Sequence, residues 1–201
     1  MVTAGPAPRH GPLLSAPRRL LARVRDVMAG TDAADKRLDE VVRIIASDMV
    51  AEVCSIYVRR AGEVLELFAT QGLKPNAVHQ TRLKFGEGIV GDIAIKARAF
   101  ALAEAQEHPN FAYRPETGEE IYHSMMGVPV LRGGRVVGVI AVQNRTQRNY
   151  TDEEIETLQT VAMVLAELIA GGDLFRITDG TDIDPETVRP VRLEGLMLNP
   201  G

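Results

Sequence analysis

Apolar residues recur every three or four positions in three stretches of this chain, the spacing that gathers them on one face of an α-helix. The stretches run from Ala16 to Met28, from about Ala33 to Met49 and from Thr151 to Gly171. Glu154 follows Thr151 by three residues, which predicts a capping box at the start of the third helix. We also predict that Thr31-Asp32 caps the second helix.

Shorter apolar runs between the second and third helices predict the strands of a sheet. These runs cover residues 53–60, 64–70, 100–102, 124–132 and 135–144. Ala61-Gly62 and Gly133-Gly134 separate two pairs of runs in the manner of β-hairpins, so we expect an antiparallel sheet. Pro129 lies inside a run and predicts either a bulge there or a backbone position that needs no N–H donor.

The segments between these strands predict less regular structure. Residues 73–83 predict a short helical turn leading into an edge strand, and residues 88–97 predict a short helix. Residues 104–120 predict a long loop, and a loop of that length within a domain is usually functional or disordered. Together the elements indicate the α+β class, with a central antiparallel sheet flanked by helices.

One domain is predicted to account for most of the 201 residues. Residues 1–15 contain three prolines and two glycines, which predicts a disordered arm. Residues 16–172 hold the predicted helices and strands. Residues 173–201 are acidic and contain prolines, so we interpret them as a linker outside the core.

Charge and composition exclude several classes of function. A net charge of −4, 4% aromatic residues and no tryptophan give neither the basic surface nor the stacking platform of a nucleic-acid-binding protein. No stretch approaches the ~20 apolar residues of a membrane span, and the first residues lack the apolar run of a signal peptide. The single cysteine, Cys54, excludes an intramolecular disulfide and suits a reducing compartment. We expect a cytoplasmic protein that binds neither nucleic acid nor membrane.

Cysteine and histidine residues offer little chemistry. Cys54 lies in a predicted strand, where a lone cysteine more often fills the core than reacts. No two of the four histidines share the spacing of metal ligands, so we predict no metal site.

Three glycines, Gly86, Gly88 and Gly91, follow the spacing of a dinucleotide-binding loop. That site needs a buried parallel strand directly before it, and residues 80–84 are too polar for one. The alternative is a turn into a short helix whose free backbone N–H groups near Gly88 bind a small anion such as a carboxylate.

A cluster of charged residues in the long loop is the other candidate site. Glu119 and Glu120 lie near Arg114 and Tyr122, just before the strand that begins at Ser124. They either close over a pocket or form a solvated charged loop, and the two alternatives have similar weight.

Seven segments in chain order carry a family resemblance. They are residues 53–57, 69–73, 86–91, 103–109, 113–115, 126–130 and 138–143. Together they resemble the GAF domain, a sensory module built on one antiparallel sheet. From about Leu20 to Ala170 the chain is similar to the N-terminal GAF domains of the nitrogen-related enzymes I of bacterial phosphotransferase systems, which are phosphoenolpyruvate–protein phosphotransferases. Residues 196–201 look like the opening of the phosphohistidine domain that follows in those enzymes.

This resemblance implies a regulatory role. In that family glutamine acts through the GAF domain to repress autophosphorylation by phosphoenolpyruvate, which links nitrogen status to a phosphorelay. The phosphorylated histidine, the phosphoenolpyruvate site with its Mg²⁺, and the contact with the phosphocarrier protein belong to downstream domains. We therefore expect this chain to have no catalytic residues and no cofactor of its own.

The resemblance also places a glutamine pocket over the sheet. We expect the ligand carboxylate to bind Arg114 or the backbone near Gly88, and the ammonium to bind Glu120 or Glu104. The carboxamide is assigned to Ser124 and strand backbone. Each group needs such a partner because a buried, unpaired charge costs several kcal/mol.

The alternative is a structural GAF domain that binds no ligand and only dimerises. A homodimer is expected in either case, because the terminal helices carry more apolar surface than one sheet face can cover. The residues in question are Leu20, Val24, Val27, Leu158, Leu165 and Ile169. Two such helices from each subunit could close a four-helix bundle.

Overall fold

The structure is a computed structural model that describes residues 15–171 and Leu174. The helices are α1 (Ala16–Met28), α2 (Ala34–Asp48), α3 (Gly88–Lys96) and α4 (Asp152–Ala170). The strands are β1 (Val53–Arg60), β2 (Val64–Gln71), β3 (Arg82–Lys84), β4 (Phe100–Leu102), β5 (Ser124–Arg132) and β6 (Arg135–Asn144). The predicted arm, except Ser15, and the predicted linker, except Leu174, lie outside the described residues. Leu174, within the predicted linker, is buried in the core.

The six strands form one sheet in the order β3-β2-β1-β6-β5-β4, and all neighbouring strands are antiparallel. The predicted α+β class and the edge position of β3 are confirmed. Because side chains alternate along a strand, the sheet separates two cores. Helices α1, α2 and α4 pack on one face, which we call the helix face, and α3 packs on the other.

One of the two predicted helix caps is present in the structure and the other is not. The capping box of α4 is confirmed: Thr151 Oγ1 accepts from the Glu154 backbone N at 3.2 Å, and Glu154 Oε2 accepts from the Thr151 N at 2.8 Å. The cap predicted at Thr31-Asp32 is wrong, because α2 begins one residue later, after Ala33, which has no capping side chain. The pairing of β5 with β6 shifts one residue beyond Pro129, between Val130 and Leu131, and the extra residue, Val137, lies on β6.

The argument for a dimer from uncovered apolar surface is also wrong. Of the six residues named, five are at most 1% exposed within a single chain: Leu20, Val24, Leu158, Leu165 and Ile169. They are covered because α1 packs against both α2 and α4 on the helix face. Dimerisation itself stays a prediction. The large apolar side chains that α4 does expose are Met163 and Val164, at 71% and 39% exposure.

Cys54 lies in β1, fully buried in the core on the helix face. Burial raises the pKa of its thiol far above the ordinary value, so the sulfur stays protonated and unreactive. We expect Cys54→Ala to lower the free energy of unfolding by about 1–2 kcal/mol, because it removes a small buried side chain. Urea denaturation measures this loss. Faster thiol labelling of the folded wild-type protein than of the unfolded chain would contradict an inert cysteine.

Candidate functional site

The glycine-rich segment at the start of α3 allows the backbone to pack closely on itself. Gly86 N donates to Gly91 O at 2.9 Å, so the turn folds back on the helix. A Cβ at Gly91 would lie 2.5 Å from Lys84 O and 3.0 Å from Gly86 N, which only glycine avoids. The strand before this turn, β3, has three residues at the edge of an antiparallel sheet. The structural context of a dinucleotide site is therefore missing.

A small cavity lies between α3, the sheet and the loop of residues 103–123, which we call the β4–β5 loop. Its volume is about 30 Å³. Its apolar wall consists of Tyr57, Leu83, Ile89, Val90, Phe111, Ala112 and Met125. Its polar wall consists of Thr81, Gly88, Arg114, Glu119 and Gln143, and we call the whole the Arg114 cavity.

Three buried polar atoms on side chains that line this cavity have no hydrogen-bond partner among the described residues. They are Arg114 Nε, Thr81 Oγ1 and Gln143 Oε1. A buried polar atom without a partner costs roughly 1–3 kcal/mol, so native proteins satisfy such atoms with water or a ligand. The three atoms comprise a cationic donor, a hydroxyl that can donate or accept, and an amide acceptor.

Two charged side chains define the electrostatics of the Arg114 cavity. Arg114 Nη2 donates to Glu87 Oε1, and Glu87 Oε2 accepts from the Lys84 backbone N at 2.9 Å. This contact links the β4–β5 loop to the start of α3. On the other side, Gln143 Nε2 donates to Glu119 Oε1 at 3.4 Å, and burial raises the pKa of Glu119 to about 7.

The structure brings only two of the five predicted site residues, Gly88 and Arg114, to this cavity. Glu120 is exposed and does not line it, because the short 3₁₀ turn 119–121 directs Glu119 inward instead. Glu104 Oε2 lies 2.9 Å from His123 Nδ1 and accepts from Gln147 Nε2 at 2.9 Å, away from the lining.

Ser124 is also outside the cavity. Its hydroxyl donates to Thr146 O at 2.9 Å and lies 3.4 Å from the Tyr150 hydroxyl, which packs against the core on the helix face. The next residue, Met125, lines the cavity, as strand alternation requires. Ser124 therefore lies on the face of β5 that is turned away from this cavity.

Sequence reasoning missed Thr81 and Gln143, and it named Glu119 and Glu120 together as candidates but assigned the ligand ammonium to Glu120 and not to Glu119. A signal existed for Gln143, which ends the otherwise apolar run 136–142 of β6. A polar side chain in such a run needs a buried partner or a ligand. Thr81 gives no comparable signal, because it lies in a polar segment.

The raised pKa of Glu119 predicts a pH dependence of stability. The folded state keeps this carboxyl protonated up to about pH 7, whereas the unfolded chain ionises it near its ordinary value of 4.5. The free energy of unfolding therefore falls as pH rises from about 4.5 to about 7, because only the unfolded chain loses the proton in this range. From about pH 5 to about pH 8 we expect the wild type to lose about 1–2 kcal/mol more than Glu119→Gln. Urea denaturation at both pH values measures this, and parallel losses in the two proteins would contradict it.

Comparisons with known proteins agree with this architecture. The model of the family described as "GAF domain" matches residues 33–169. A protein of the phosphoenolpyruvate-dependent phosphotransferase system of Escherichia coli (strain K12) is 35% identical over 160 residues, which cover 77% of this chain and 21% of that protein. The chain thus spans about a fifth of the length of the curated relatives that it matches first.

Two solved structures are similar along most of the chain. The GAF domain from a phosphoenolpyruvate-protein phosphotransferase of Coxiella burnetii is 30% identical with a TM-score of 0.74, over 81% of this chain and 98% of that one. The GAF domain from the Acinetobacter phosphoenolpyruvate-protein phosphotransferase is 27% identical with a TM-score of 0.73, over 83% of this chain and all of that one. No helix within residues 15–171 has the length and hydropathy of a membrane span.

Proposed function

The chain belongs to the GAF domain family, and from this premise we propose that the Arg114 cavity is a sensory site for a free amino acid, glutamine or a close relative. The domain would regulate the phosphoenolpyruvate-dependent autophosphorylation of a phosphotransferase to which it belongs. Phosphoenolpyruvate, Mg²⁺ and the phosphocarrier protein would bind other domains of that protein, in the cytoplasm.

The main support for this proposal is that three polar atoms on the side chains lining the Arg114 cavity are buried without a hydrogen-bond partner among the described residues. The Arg114 guanidinium suits a carboxylate, and Nε offers it a donor that the fold leaves unused. Glu119 and Gln143 Oε1 suit an ammonium group in the same cavity. The Thr81 hydroxyl remains for a side-chain carboxamide. A zwitterion with one more polar group satisfies all of them at once.

Binding requires the β4–β5 loop to move. A volume of about 30 Å³ holds about two water molecules, far less than glutamine occupies. Arg114 and Glu119 both lie on this loop, so an outward movement enlarges the cavity. The ligand carboxylate then replaces Glu87 on Arg114, and the ammonium stabilises Glu119 in its ionised form. Binding should consequently strengthen as pH rises through about 7, the pKa of free Glu119.

Thermal shift measurements with each of the twenty amino acids test the proposal, followed by calorimetry with those that stabilise. A ligand that binds only the folded state raises the melting temperature. We expect a shift with glutamine and none with glutaramate, which keeps the carboxylate and the carboxamide but lacks the ammonium group. If no amino acid shifts the transition and calorimetry with glutamine shows no heat of binding, the cavity is not an amino-acid sensor.

The alternative function, a ligand-free dimerisation module, has one observation in its favour. Met163 and Val164 form an exposed apolar step on α4, a position suited to contact with a second copy. Light scattering distinguishes the cases when it is combined with the ligand screen. A dimer that dissociates in Met163→Glu, in a protein that binds no amino acid, supports the structural module.

A further inference from the structure

A second cavity lies on the helix face, where the start of α1, the end of α2 and the start of α4 meet. Its volume is about 150 Å³, and we call it the Asp48 cavity. Pro17, Leu20 and Met49 supply apolar surface, while Asp48 and Thr157 supply polar surface. It shares no lining residue with the Arg114 cavity.

Asp48 gives this cavity an unsatisfied hydrogen-bond acceptor. Its side chain is only 7% exposed. Oδ1 accepts from Arg23 Nη1 at 2.6 Å, but Oδ2 is buried and accepts no hydrogen bond among the described residues. Arg19 Nε, at 3.9 Å from Oδ2, is an ion-pair neighbour beyond hydrogen-bond distance. A buried carboxylate oxygen in this position lacks a donor.

Charges of both signs surround the cavity, because the starts of α1 and α4 are the positive ends of their helix dipoles, whereas Glu153, Glu154 and the end of α2 are negative. The carbonyl end of α2 is directed here, and the last turn of α2 carries no basic residue. Glu153 also lines the cavity. Among the described residues Arg148 is the one cation that lines the cavity, and it donates to Glu154 and to the carbonyl oxygens of Met49 and Val50, the latter two at 2.9 and 3.1 Å.

We propose that the Asp48 cavity binds a small organic cation, a primary alkylammonium ion. The ammonium group donates to Asp48 Oδ2, and the alkyl chain packs on Pro17, Leu20 and Met49. The size is suitable, because an engineered cavity of about 150 Å³ accommodates benzene and a butylammonium ion is no larger. The bound ion would bridge α1 to α2 and α4 and so strengthen the docking of the first helix.

Titration of the 201-residue chain with n-butylammonium chloride tests this site, with 1-butanol as the uncharged probe of similar shape. Amide chemical shifts of Val50 and Thr157 report on the Asp48 cavity, and those of Ile89 and Gln143 report on the other cavity. We expect saturable shifts at Val50 and Thr157 and an affinity for butylammonium at least tenfold above that for butanol. Equal affinities, or no saturable shift, would overturn the proposal.

Two variants locate the ion. Asp48→Asn should weaken butylammonium binding at least tenfold, whereas Asp26→Asn, which alters an exposed carboxylate on the same helix as Arg23, should leave it unchanged. If Asp48→Asn does not fold, Glu153→Gln serves instead, since Glu153 is exposed, and it should weaken binding at least twofold. Unchanged binding in the folded variant refutes the site. Arg114→Met should not affect this binding, so the two proposals can fail separately.

Discussion

Replacing Arg114 by methionine is expected to weaken glutamine binding at least about thirtyfold, equivalent to about 2 kcal/mol. Methionine keeps the apolar stem of the side chain but removes the guanidinium group that we assign to the ligand carboxylate. The fold should survive, because Arg114 is about one-third exposed and lies in a loop. Calorimetry on the variant measures the loss, and unchanged affinity would mean that the carboxylate binds elsewhere.

Two further variants sharpen this test. Arg132→Met removes an exposed guanidinium that pairs with Glu167 on the surface, so it should not change affinity. Glu87→Gln removes the charge that competes with the ligand for Arg114, so it should tighten binding severalfold. A Glu87→Gln variant that binds more weakly would show that Glu87 holds Arg114 in its binding position instead of competing with the ligand.

Replacing Glu66 by alanine is expected to lower the free energy of unfolding by about 3–5 kcal/mol. The Glu66 side chain is 1% exposed. It accepts from Arg60, which is 3% exposed, and from Arg82, each at 2.9 Å. His79 Nδ1 lies 2.9 Å from the same carboxylate. Truncation leaves the Arg60 charge buried without this carboxylate, which costs much more than loss of an exposed pair. Urea denaturation measures the difference.

Glu40→Ala is the matched control, since Glu40 pairs with Arg43 at the surface and its loss should cost less than about 1 kcal/mol. The pKa of Glu66 provides a second test. Burial raises it, but hydrogen bonds from Arg60 and His79 outweigh burial and hold it below the ordinary 4.5. The stability gained is present above pH 4.5 and is lost as pH falls through the folded pKa. Equal losses of stability in the two alanine variants would contradict the buried network.

The fold was predictable from sequence because its signals are local. Gly133-Gly134 and the flanking apolar runs predict β5 and β6 with the bounds that the structure has. The α2 cap failed because a Thr-Asp pair also fits the turn before a helix, and side-chain preference does not fix the first helical residue.

The site was less predictable because it depends on which way a loop residue faces. The sequence gives no reason to separate Glu119 from Glu120, and only the short turn that contains them distinguishes the one that lines the cavity from the exposed one. The unsatisfied atoms belong to Thr81, just before β3, and to Gln143 in β6, which are far apart in sequence. The periodicity of apolar residues does not predict that two such side chains line the same cavity.

The position of β1 in the sheet has a consequence for synthesis on the ribosome. β1 pairs on one side with β2, its immediate successor, and on the other with β6, the last strand to be made. Until Asn144 has emerged, the nascent hairpin of β1 and β2 exposes a bare, apolar edge, which invites pairing with other chains. We therefore expect the sheet to remain incomplete during synthesis until β6 has been made. Fragments that stop before Arg135 should depend on chaperones to avoid aggregation.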